Sequence, residues 1–193
     1  MHVDKCIIIL FGGLYLIIKA SYKDMAHRTQ LNTKIASLTG IGKHTIDRIG
    51  VNLNKGGIIH AGGRGRHAPD MRPEDLKTII MAILGLESTG RVFERVLKLH
   101  GFSAEDGQKF GDVLLEICSD IEKAERVMQI SVMRNYPQAT IYWKDESGTR
   151  IGKMQDFKKV SEQEQPGMRV VASLSGNVLT ELVKLVLEPE SVE

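Results

Sequence analysis

Apolar residues recur at helical spacing along most of this chain, and the period switches to alternation once, past Arg126. In the stretch NTKIASLTGIGKHTIDRIGV, residues 32–51, Ile35, Ile46 and Ile49 fall inward on two short helices. Ala36 is small where those helices cross, and Gly40 sits at the turn, where a positive φ would penalise a Cβ. The second helix is expected over about 43–54. Beyond Lys55, the glycines Gly56 and Gly57 stop it. The pair Ile58-Ile59 then predicts a short strand, and the glycine-rich run 60–69 predicts a loop.

A third helix is expected to open at Arg72-Pro73-Glu74-Asp75, because proline suits the first helical position and acids suit the positive end of the dipole. Leu76, Ile79, Ile80, Ile83 and Leu84 mark its apolar face. Residues 85–90 break it, and Val92, Val96 and Leu99 continue in a fourth helix that ends near His100-Gly101. Ser103 with Asp106 has the form of a capping box, ahead of Phe110, Val113, Leu114, Ile117 and Ile121 at helical spacing. These stripes read first as core, with a dimer face as the alternative.

After the switch, Met128, Ile130 and Val132 alternate, as do Ala139, Ile141 and Trp143, with a turn at Asn135-Tyr136-Pro137 between them. A second turn at 145–148 leads to a third strand over about 149–157. A polar loop at 162–167 precedes a fourth strand over 168–174. Val178, Leu179, Leu182, Val183 and Val186 share one face of a closing helix. The expected fold class is α+β: helices, then an antiparallel β-meander, then a helix.

Residues 1–24 stand apart. Cys6 to Ile18 is an apolar run of 13 residues, short of the roughly 20 that cross a membrane. It has the length of a signal-peptide core but lacks a clean cleavage site. The favoured readings are a strand or helix completing the next module, or a start at Met25 with the upstream residues spurious. The expected organisation is therefore an extension at 1–24, a module at 25–70 and a domain at 71–193.

The chain has 193 residues, 42% hydrophobic and 26% charged, with a mean hydropathy of −0.13. Those values exclude a mainly disordered, collagenous or membrane-embedded chain. Two cysteines, Cys6 and Cys118, are too few for a disulfide framework, and Cys118 reads as a small buried hydrophobe. The net charge of +2 conceals a division. Residues 25–72 hold eight Lys and Arg against Asp47 and Asp70, whereas residues 73–193 hold more acids than bases. A compact basic block on an acidic chain points to nucleic acid.

The 32–51 pattern, with the Ala36, Gly40 and Ile46 spacing, resembles the helix-turn-helix superfamily. Gly56-Gly57, Ile58-Ile59 and the basic loop after them resemble the wing of winged helix-turn-helix proteins, of the compact prophage or bacterial regulator type. Arg64-Gly65-Arg66 is also similar to the core of an AT-hook, although Gly63 and His67 flank it where that motif has prolines. The resemblance implies a recognition helix exposing Lys43, His44, Thr45 and Arg48, with Lys55 near its end. Arg48 would pair with a guanine edge, and Thr45 or His44 would meet a base or phosphate. Arg64 and Arg66 would hold the minor groove or phosphates. Asp47 is expected to pair with Lys43 rather than accept from cytosine.

Catalytic signatures are missing from the sequence: it contains no GxSxG, HExxH, CxxC or GxxxxGK[ST]. His44, His60 and His67 lack metal-ligand spacing, so phosphate contact or solvent exposure is the expectation, with no metal and no cofactor. Tyr142 and Trp143 read as packing, with base stacking the alternative. The function expected is a non-enzymatic, cytoplasmic, double-stranded-DNA-binding transcriptional regulator. It would act as a homo-oligomer, a dimer being favoured, and without a membrane. The alternatives are a phage DNA-packaging protein of small-terminase type, a recombination accessory, or an enzyme whose chemistry lies in the α+β domain.

Overall fold

A computed structural model describes residues 7–11, 14–18, 28–59, 71–86, 89–134, 138–158 and 170–188. Two short strands, β1 (Ile7–Phe11) and β2 (Leu14–Ile18), pair antiparallel with Phe11 opposite Leu14. Only Gly12 and Gly13 separate them in sequence, so the apolar run that opens the chain is β rather than helical. Among the described residues, no helix is long and apolar enough to cross a membrane.

Among the described residues, seven α-helices and a four-stranded antiparallel sheet follow, which makes the fold mixed α+β. The helices are α1 (Arg28–Thr39), α2 (Lys43–Lys55), α3 (Pro73–Leu84), α4 (Val92–His100), α5 (Phe110–Cys118), α6 (Ile121–Arg126) and α7 (Gly176–Leu187). The strands are β3 (Val127–Met133), β4 (Gln138–Lys144), β5 (Ile151–Lys158) and β6 (Val171–Ser175).

Helix α3 lies at the centre. The predicted one-sided stripe is too modest for it: Leu76 and Thr78 through Leu84 are all buried, as is Asp75. A helix buried all round from Thr78 to Leu84 must be surrounded there, and α2, α4, α5, α7 and β6 all pack on α3. Pro73 occupies its first turn, and the Asp75 carboxylate accepts from the Arg72 N–H at 3.1 Å, as in a capping box. At its other end Arg134 donates to the carbonyls of Leu84 (3.2 Å) and Ile83 (3.4 Å). Arg95 donates to the carbonyls of Gly85 and Arg134. Two cations thus answer the negative end of the helix dipole. Burial, and then the neighbouring Arg134 charge, lower the Arg95 pKa.

Further sequence expectations in the helical part need correction. Ile58-Ile59 is no strand; the chain there is the non-regular exit from α2. Ser103 and Asp106 form no capping box, because α5 starts only at Phe110. Ser103 instead exchanges both backbone hydrogen bonds with Lys158 of β5, at 3.0 and 2.9 Å, so sheet pairing takes that backbone out of helical use. The predicted stripe through Ile121 is two helices, since Asp120 ends one turn and caps α6 by accepting from the Lys123 N–H at 3.1 Å.

The sheet order is β5-β4-β3-β6. The hairpin between β4 and β5 turns on Asp145, whose carboxylate accepts from the N–H groups of Thr149 and Arg150, with Gly148 at φ +74°. The expected meander holds for three strands and fails for the fourth. β6 returns to lie beside β3, the 4-1-2-3 order of a Greek key. Ile130, Val132, Ala139, Ile141, Phe157 and Leu174 share, by register, the face that joins the core. The opposite face carries a polar ladder, in which Gln129 donates to Ser131 (2.7 Å) and Thr140 donates to Asp156 (2.6 Å). Buried residues of α1 and α2 belong to the same core as those of α3, α5, the sheet and α7.

Candidate nucleic-acid interface

Local chemistry explains the α1–α2 pair. Leu31 and Ile35 lie one turn apart on α1 and are fully buried, as are Ile46, Ile49 and Leu53 on α2. Three residues, Gly40-Ile41-Gly42, connect the helices. Gly40 has φ +70°, a left-handed value that a side chain would strain, and its N–H closes on the Ala36 carbonyl at 3.0 Å. The other end of α2 is a Schellman stop. Ile58 N–H reaches the Leu53 carbonyl (3.2 Å), Gly57 N–H reaches Asn54 (3.0 Å), and Gly57 sits at φ +69°.

Asp47 ties the two helices together. Its carboxylate accepts from the Lys43 ammonium at 2.8 Å, one turn back on α2, and from the Asn32 amide of α1 at 2.9 Å. The hydrogen bond from Lys43, against an opposing effect of burial, holds its pKa below 3.8. Lys43 is therefore engaged within the protein, as the spacing predicted. The Arg28 guanidinium lies over the backbone of Gly50, where any Cβ would meet it.

Of the predicted DNA-contacting residues, His44, Arg48 and Lys55 are exposed and Thr45 is half-buried. His44, Arg48, Val51 and Lys55 follow one another at four-, three- and four-residue steps, so they form one stripe opposite the buried Ile46, Ile49, Gly50 and Leu53. Val51, 48% exposed at the centre of that stripe, was missed by the sequence reading. Its exposure is legible from the helical period, because it lies three residues past Arg48 and four before Lys55. Among the described residues neither Arg48 nor Lys55 has a carboxylate partner. Arg64 and Arg66, with the whole predicted wing loop, lie outside the described residues.

Elsewhere the chemistry is sparse. Among the described residues, no three His, Cys, Asp or Glu side chains gather as metal ligands would. Cys118 is fully buried, and burial pushes its thiol pKa far up, away from nucleophilic use. His100 faces Asp112 at 3.7 Å on the surface. An open cleft of about 460 Å³ between Ser103–Asp106 and β5 is lined by Lys153, Asp156 and Lys158, with no histidine or cysteine. Compared with protein-family models, curated proteins and solved structures, the chain finds no match, so a functional reading has to come from these residues themselves.

Proposed function

We propose that the chain is a non-enzymatic transcriptional regulator, of the compact prophage or bacterial type, that binds double-stranded DNA through α2 and works in the cytoplasm as a homodimer. The observation that carries this reading is the exposed stripe His44, Arg48, Val51 and Lys55, held outward on a short helix by three fully buried residues and a three-residue glycine turn. Such a stripe has the composition of a groove-reading surface. Arginine is the commonest partner of a guanine edge, an exposed valine suits a thymine methyl, and lysine suits phosphate. His44 and Thr45 lie in the first turn of α2, where N–H groups also favour phosphate. Arg64 and Arg66 add backbone or minor-groove contacts on the strength of the sequence. A dimer would set two copies of α2 about 34 Å apart along the duplex.

Selection of bound fragments from genomic DNA, followed by anisotropy titration, tests the reading. Arg48→Ala is expected to cost about 1–3 kcal/mol on the selected site and to relax preference at one base pair. Lys55→Ala is expected to weaken all sequences alike and to reduce the salt slope by about 0.9. Parent-like binding by both variants would remove α2 from the interface. A large ring on sedimentation, with little sequence preference, would favour the packaging alternative.

A further inference from the structure

We infer a second site, for a nucleotide-sized planar anion, in the cleft between α5, α6 and the far ends of β4 and β5. Its volume is about 340 Å³, at the small end of the range for small-molecule sites. Trp143 is half-buried there, packed against the core, and Val113 and Ile117 of α5 complete the apolar part of the lining. A heterocycle stacked on this indole would gain contact that is tolerant of ring identity.

Cations line the cleft together with that ring. Lys153 is the direct cross-strand partner of Trp143 on β5, and Val127, which follows Arg126, is its partner on β3. Directly opposed side chains on neighbouring strands share a face at close range, so sheet register fixes Lys153 beside the indole, while Arg126 lines the same cleft from the end of α6. Lys123 and Lys144 also line the cleft but are engaged. Lys123 pairs with Glu116 at 2.9 Å, and Lys144 donates to the Glu125 carbonyl at 2.6 Å. Arg126 and Lys153 are exposed and have no carboxylate partner among the described residues. Two open cations beside a stacking surface suit a phosphate attached to the ring.

The remaining lining fits the same ligand. The Gln155 side-chain amide donates to Oε1 of Gln108 at 3.0 Å, which leaves one donor group and one acceptor of the two side chains to meet a base edge. Among the described residues of the lining, the acids are Asp106 and Glu116; Glu116 is neutralised by Lys123, and Asp106 accepts from the Gln108 N–H at 3.0 Å. The cleft is far smaller than a groove for a duplex, and it is independent of the α2 surface.

The chain contains one tryptophan, so intrinsic fluorescence of the full-length protein reports directly on the cleft. At least one of AMP, GMP, CMP and UMP is expected to change that emission saturably, with the parent nucleoside and inorganic phosphate each about tenfold weaker. Calorimetry should give the same constant. Arg126→Ala and Lys153→Ala are each expected to weaken the nucleotide about fivefold, whereas Lys98→Ala on α4 leaves it unchanged. The inference is overturned by any of four results. These are no saturable change with any nucleotide, equal binding of nucleoside or phosphate alone, a response only to single-stranded oligonucleotide, or undiminished binding by both cleft variants.

Discussion

Gly176, in the first turn of α7, lies where the helix crosses the start of β3, and an added Cβ would overlap the Val127 carbonyl oxygen. Backbone cannot swing aside as a long side chain can. Replacing glycine with alanine in a helix ordinarily stabilises by about 1 kcal/mol; here overpacking should reverse the sign. Gly176→Ala is expected to destabilise by about 3 kcal/mol, read from urea midpoints, and a neutral result would mean that α7 can lift off the sheet. Gly50 contrasts with it, since the nearest atoms to a Cβ there belong to the guanidinium at the end of the long Arg28 side chain. No periodicity argument separates two such glycines, because the obstacle at each comes from a residue far away in sequence.

Between elements, the Asp47 carboxylate joins α2 to α1 and depends on its charge. Its pKa is lowered in the folded protein, chiefly by the Lys43 hydrogen bond, so its contribution is complete above the unfolded value near 3.8 and fades as pH falls through the lower folded value. Asp47→Asn keeps an acceptor for Asn32 while removing the charge. The variant is expected to unfold at lower denaturant than the parent at pH 7, with the gap closing toward pH 3. A gap that persists at pH 3 would assign the effect to packing. The effect is modest because both side chains of the ion pair are more than two-fifths exposed. The Lys43–Asp47 pair was legible from its four-residue spacing, whereas the Asn32 bond, spanning the turn, was not. Elements whose signals are local were read well: α1 and α2 with Gly40 between them, the proline start of α3, and the turn at Asp145. Ser103 was misread because its decisive partner, Lys158, lies in a strand more than fifty residues away.

At the scale of the whole molecule, the basic N-terminal helices are anchored on the acidic remainder. α1 packs on α7, where Lys34 meets Glu181 at 3.5 Å, and α2 packs on α3 and α4. Two helices of 12 and 13 residues are at the margin of independent stability, and their buried residues are part of a core completed by later elements. A fragment of residues 25–70 is therefore expected to be largely unfolded by circular dichroism, while the full chain melts in one transition; cooperative melting of the fragment would show a self-sufficient module. The amino-acid sequence by itself determined most of the helices, the switch to strands and the outward placement of His44, Arg48 and Lys55 on α2, because periodicity, caps and turn residues act within a few positions. Only the tertiary structure decided that α3 is enclosed on all sides, that β6 returns beside β3, and that Trp143 meets Arg126 and Lys153 around one cleft. Those outcomes depend on which elements become neighbours, and contacts between distant segments leave no local pattern along the chain.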